Sequence, residues 1–126
     1  MIPQKIRILD EKELDLVEIL TSIGIKRTVA VVIVYLSGND GATSKQIEIA
    51  TNLNQPEISI AMSAMRENCW TEERDIKGSG TGRPAKFYRL STPLEEIVTY
   101  YEEKTQNESA QAMELVQKLK EMAVEV

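Results

Sequence analysis

Leu14, Val17, Leu20 and Ile23 recur at helical spacing, so an amphipathic helix is expected near the start of the chain. Asp10 followed by Glu13 marks where it begins, because each side chain can bond the other's free backbone amide. The pattern predicts a helix over Glu11–Ser22, ended by Gly24. The next run, Lys26 to Ser37, has the core Val-Ala-Val-Val-Ile-Val-Tyr-Leu, whose β-branched residues favour a buried strand by propensity alone. It holds no internal turn signal and gives way to Ser37-Gly38-Asn39-Asp40-Gly41, a helix stop and turn. A helix buried on all sides is therefore expected.

Two more capping boxes follow. Thr43 with Gln46 opens a short helix with Ile47 and Ala50 inward, ending near Asn52. Asn54 with Glu57 opens a helix from Gln55 to about Glu67, with Pro56 in the first turn, where a missing amide costs no helical bond. The joint Asn52-Leu53-Asn54, with Leu53 as its apolar plug, makes the pair a helix-turn-helix. Trp70 to Ile76 and Lys86 to Leu90 read as strands flanking a glycine-rich tip from Gly78 to Pro84. From Pro93 to about Ala123 there is one long helical pattern. Leu94, Ile97, Val98 and Tyr101 give way to a polar gap at Gln106-Asn107-Glu108, the place for a kink or a break. The apolar positions resume at Ala112, Leu115, Val116, Leu119 and Met122, spaced as in a short coiled-coil seam.

The expected organisation is mainly α with a small β-hairpin: an N-terminal helix in residues 1–25, a central domain in 26–92 and a C-terminal helix in 93–126. A length of 126 residues suits one compact domain. The longest apolar run, Val29 to Leu36, has eight residues, too few to cross a bilayer. Residues 1–10 carry no secretory signal, so a cytoplasmic location is expected. With no histidine and one cysteine, the chain has neither the usual zinc ligands nor a histidine-based triad, so no enzyme and no cofactor are expected. The spaced glycines of the tip lack the following helix that a nucleotide fingerprint needs.

The net charge of −5 is unevenly distributed. Residues 1–25 carry three basic and five acidic side chains, and residues 91–126 three and eight. The middle has nine against seven. Within it, Ile76 to Leu90 holds Lys77, Arg83, Lys86 and Arg89 with no acid, so these cations are expected to reach phosphate without an intramolecular competitor. The neighbouring acid pairs Glu72-Glu73, Glu95-Glu96 and Glu102-Glu103 read as solvated surface.

Thr43 to Leu90 resembles the archaeal and bacterial winged helix-turn-helix regulators of the broad MarR and TrmB-like type. The matching stretches are Gln-Pro-Glu-Ile-Ser at 55–59, Met-Arg-Glu-Asn-Cys-Trp at 65–70 and Gly-Arg-Pro-Ala-Lys-Phe-Tyr-Arg-Leu at 82–90. The resemblance implies a homodimeric regulator of transcription that binds double-stranded DNA. Its recognition helix at about 55–67 would enter the major groove, and its wing at about 76–86 would lie on the backbone or minor groove. Gln55 suits adenine, Ser59 and Ser63 bases or phosphates, Ile60 a thymine methyl and Glu57 a cytosine amino group. Arg66, Lys77, Arg83 and Lys86 are the expected cationic contacts, joined by Thr43, Ser44 and Lys45 at the start of the preceding helix. Leu14, Val17, Val98, Tyr101, Leu115, Leu119 and Met122 are the expected dimerisation residues of the two terminal helices.

Lys26 and Arg27 stand before a buried helix and suit either phosphate or solvent. Where such regulators carry glycine before the tryptophan this chain has Cys69, so Asn68 is expected to make the left-handed turn and Cys69 to be a buried structural thiol. A bare, cation-poor recognition helix also fits a second class of function, a winged helix used as a protein–protein module of the transcription machinery.

Overall fold

The computed structural model describes residues 8–76 and 85–126. Helix α1 spans Glu11–Ser22. Its start is the expected capping box: the Glu13 amide donates to Asp10 Oδ1 at 2.8 Å and the Asp10 amide to Glu13 Oε1 at 3.1 Å. Its end is a left-handed turn at Gly24 (φ +102°), where Ile25 N–H donates to Leu20 O and Gly24 N–H to Thr21 O. Leu20 and Ile25 are both buried beside this turn.

Helix α2 covers Arg27–Ser37, and every residue from Val29 to Leu36 is buried. A β-branched run is helical here because α1 packs against it, as do the two helices and the sheet that follow it in the chain. Burial on every side outweighs a strand propensity worth only tenths of a kcal/mol per residue, on the order of 1 kcal/mol at most.

Helix α3 (Ser44–Thr51) and helix α4 (Gln55–Glu67) each begin in the expected capping box, Thr43 with Gln46 and Asn54 with Glu57. Between them Asn52 takes the left-handed conformation, φ +62°, and Leu53 is half-buried in the turn. The buried face of α4 is Ile58, Ala61, Met62 and Met65.

Three strands follow the order β1-β3-β2, with β1 Ala42–Thr43, β2 Thr71–Ile76 and β3 Ala85–Leu90. The hairpin partner strands are antiparallel, Thr71 opposite Leu90 and Ile76 opposite Ala85. Strand β1 was not legible, since two residues are too few to show a period of two. It pairs Ala42 with Tyr88 and Thr43 with Phe87. Trp70 lies just outside β2 and is buried.

Two compact units result, Met1–Leu94 and Glu95–Val126. Helix α1 belongs to the first, tied to α2 by packing. The second is the body of helix α5, Leu94–Val124, which runs unbroken through the polar gap. Gln and Glu are good helix formers there, and Lys104 lies 3.8 Å from Glu108 one turn on. Among the described residues no helix is long and apolar enough to cross a membrane.

Candidate nucleic-acid interface

The helix-turn-helix fixes what α4 presents outward. With Ile58, Met62 and Met65 buried, Gln55, Ser59, Ser63 and Arg66 fall on one stripe at helical spacing, and all four are exposed. Ile60 stands beside them, 55% exposed. Gln55 is held by Glu48 of α3, its Nε2 donating to Oε2 at 3.0 Å, which ties the first turn of α4 to the preceding helix. Lys45 is exposed, while Thr43 and Ser44 are half-buried. The Thr43 hydroxyl accepts the Gln46 amide at 3.1 Å. Arg27 is committed to Glu18 at 2.9 Å.

The C-terminus of α4 repeats the turn that ends α1. Trp70 N–H donates to Met65 O and Cys69 N–H to Arg66 O, with Met65 and Trp70 both buried beside it. The left-handed residue is Cys69 itself, φ +59°, whereas Asn68 is ordinary at φ −92°. This corrects both expectations about Cys69. A residue in that turn points away from the helix, so its thiol is exposed while Trp70 turns inward.

On the hairpin, cross-strand pairing sets Glu72 opposite Arg89, Glu73 opposite Tyr88 and Asp75 opposite Lys86. Arg66 reaches across from α4 and donates to Glu73 Oε1 through both Nε, at 2.9 Å, and Nη2. Lys86 Nζ stands 3.7 Å from Asp75 and 3.9 Å from Glu73, and Arg89 lies 3.7 Å from Glu72. The Arg66 guanidinium is held charged more firmly than usual by its bond to Glu73. Burial pushes the Tyr88 phenol upward, and the Glu73 carboxylate beside it adds to the shift. On the other face of the hairpin Arg74 lies over the Phe87 ring, 4.8 Å from its centroid, beside Asp40 and Arg89 in an open cleft. Among the described residues no three acidic or cysteine side chains converge as metal ligands would.

No protein-family model matches this sequence, and none of the curated proteins is similar to it. Among solved structures, a MarR-family transcriptional regulator from Silicibacter pomeroyi superposes with a TM-score of 0.50. The match covers 90% of this chain and 81% of that one at 12% identity. The chain has the MarR-type winged-helix fold.

In the terms of that fold, α4 is the second helix of the helix-turn-helix and the β2–β3 hairpin is the wing. The wing cations Lys77 and Arg83 lie outside the described residues. For Lys86 and Arg66, what the structure corrects is the expectation of cations without an acidic competitor. Lys86 is not free of acids, because the wing's antiparallel register places Asp75 opposite it and Glu73 within reach. Arg66 is likewise ion-paired, where α4 meets β2. Glu57 is only partly exposed, and its carboxylate accepts the Asn54 amide at 3.0 Å in the capping box that starts α4. Sequence reading passed over Glu73 as solvated surface, yet its side chain is 18% exposed and touches both cations. The signal was available: folding the two strands about the glycine-rich tip sets the acids of β2 against the cations of β3.

The apolar positions assigned to assembly divide sharply. Val17 is fully buried on the inner face of α1 and is not available to a partner, which corrects its place in that set. Leu14 and Val98 are exposed, and Tyr101 is half-buried, which raises its phenol above the ordinary value. Leu115 and Leu119 are 63% and 65% exposed, with Val116 and Met122 exposed beside them.

Proposed function

We propose that the chain is a sequence-specific, double-stranded DNA-binding regulator of transcription that acts as a homodimer. The observation that carries the reading is the exposed stripe Gln55, Ser59 and Ser63 on a helix-turn-helix braced by a hairpin. These side chains bond base edges or phosphates, and Gln55 suits adenine. Exposed Lys45 in the first turn of α3, together with Lys77 and Arg83, supplies contacts to the backbone. The solved winged-helix relative is named as a transcriptional regulator, which supports the same role here.

The dimer follows from α5. Leu115, Val116, Leu119 and Met122 form an exposed stripe at spacings of one, three and three residues, and apolar stripes of that kind are covered by a partner. Twofold pairing is the commonest closed arrangement and presents two recognition helices to a palindromic site. Leu14 and Val98 are further exposed contacts for the same assembly.

A second reading, docking of a protein partner on the recognition helix, is favoured by Ile60, exposed on a helix whose one outward cation, Arg66, is already paired. Selection of bound sites from random duplex DNA decides between them. A palindromic enriched motif, with affinity that falls steeply as salt rises, supports the regulator. No enrichment at any salt concentration refutes it and leaves the protein-docking reading.

A further inference from the structure

Arg66 and Lys86 come from different elements, α4 and β3, yet both reach one carboxylate, that of Glu73, which Lys86 shares with Asp75. Glu73 is the most enclosed acid of this group, while both cations keep more than half of their side-chain surface in solvent. Arg66 shares the α4 stripe with Gln55, Ser59 and Ser63, so the face that would meet a duplex carries a carboxylate at its edge. A phosphate approaching Arg66 or Lys86 therefore competes with an anion already in place, and repulsion between Glu73 and the phosphate adds to the cost.

We propose that Glu73 is a positioning residue that sets DNA affinity by holding Arg66 and Lys86 in the free protein and yielding them to phosphate on binding. The inference rests on the regulator reading above. Exchange of partners carries a characteristic salt signature. Phosphate contacts release cations from DNA, but a carboxylate freed at the same moment takes up a cation, so the net release is smaller than the number of contacts. Pairing with Glu73 also links α4 to β2, which distinguishes it from the solvent-facing pair Arg89–Glu72 within the hairpin.

The test is Glu73→Gln in the full chain, which removes the charge and keeps the size. Binding to a fluorescent duplex of random sequence is followed by anisotropy from roughly 50 to 200 mM salt. The expected result is affinity about three- to tenfold higher at the lower salt, with a log–log salt slope steeper by about one. Glu72→Gln, on the other face of the same strand, is the matched change of net charge and is expected to give less than half of that gain. Adding Arg66→Gln and Lys86→Gln to Glu73→Gln is expected to abolish the gain. Equal gains from Glu72→Gln and Glu73→Gln would overturn the proposal in favour of a general charge effect. Unchanged or weaker binding by Glu73→Gln, with an unaltered melting temperature, would also overturn it. If the unmutated chain binds no duplex even at the lowest salt, the regulator reading fails first and takes this inference with it.

Discussion

Gly41 stands at the entry to β1, where the chain passes against the wing, and replacing it with alanine tests that packing directly. Its φ of +140° lies in a region that side-chain-bearing residues rarely adopt. A Cβ built there would sit 2.6 Å from Phe87 Cε1, closer still to Cζ, and 3.1 Å from the Tyr88 carbonyl oxygen. The ring is half-exposed and can swing, but the carbonyl is fixed by the β1–β3 pairing of Ala42 with Tyr88. Backbone strain costs about 1–3 kcal/mol and the contact about 1 kcal/mol, offset by about 0.4–1 kcal/mol of lost unfolded-state freedom. The net expectation is a destabilisation of about 2 kcal/mol, or a fall of roughly 8–16 °C in melting temperature for a unit of this size. Thermal unfolding followed by circular dichroism reads it. Gly24→Ala is the control, since φ there is +102° but nothing lies within 4 Å of the added carbon. Only strain acts at Gly24. If Gly41→Ala melts no lower than Gly24→Ala, the close approach of strand and wing contributes nothing and the reasoning is wrong.

Three other substitutions follow from the same geometry. Cys69→Gly relieves a left-handed side-chain residue and is expected to stabilise the fold by about 1 kcal/mol; a lower melting temperature would contradict the turn described for the end of α4. Leu115→Glu with Leu119→Glu is expected to convert a dimer into a folded monomer with most of its DNA affinity lost, and a mass of 14.2 kDa for the unmutated chain in sedimentation equilibrium at micromolar concentration would refute the dimer. Gln55→Ala with Ser59→Ala is expected to relax base preference while leaving binding to random duplex nearly intact, and equal losses on enriched and random DNA would show that they only position the protein.

The helices were legible because their signals are local. Asp10 with Glu13, Thr43 with Gln46 and Asn54 with Glu57 each declare a helix start within four residues, and all three form reciprocal bonds. Helix α2 was legible from its flanks rather than its composition. The ion pairing of Lys86 was not, because it depends on residues more than ten positions apart: Asp75 comes opposite Lys86 only once the two strands pair. Read as a linear run, Ile76 to Leu90 is acid-free, and for Lys86 and Arg89 that property does not survive folding. Cys69 was misplaced for a different reason. Helix C-terminal turns choose a position by geometry, and the third residue after Arg66 takes the left-handed state whether or not it is the best suited to it. The seam of α5 was visible as periodicity, whereas the exposure of Leu115 and Leu119 is a property of the structure that periodicity does not carry.

Thr43 has two duties at once. It is the residue that caps α3, and it is the residue of β1 that pairs with Phe87 of the wing. A single residue thus joins the helix-turn-helix to the hairpin: the strand pairing that reaches Thr43 is followed at once by the helix that its side chain caps, a cap worth about 1 kcal/mol. Helix and hairpin therefore hold a set spacing, like the jaws of a fixed-gauge caliper, and any surface that engages both must bring its own contact points to that gauge.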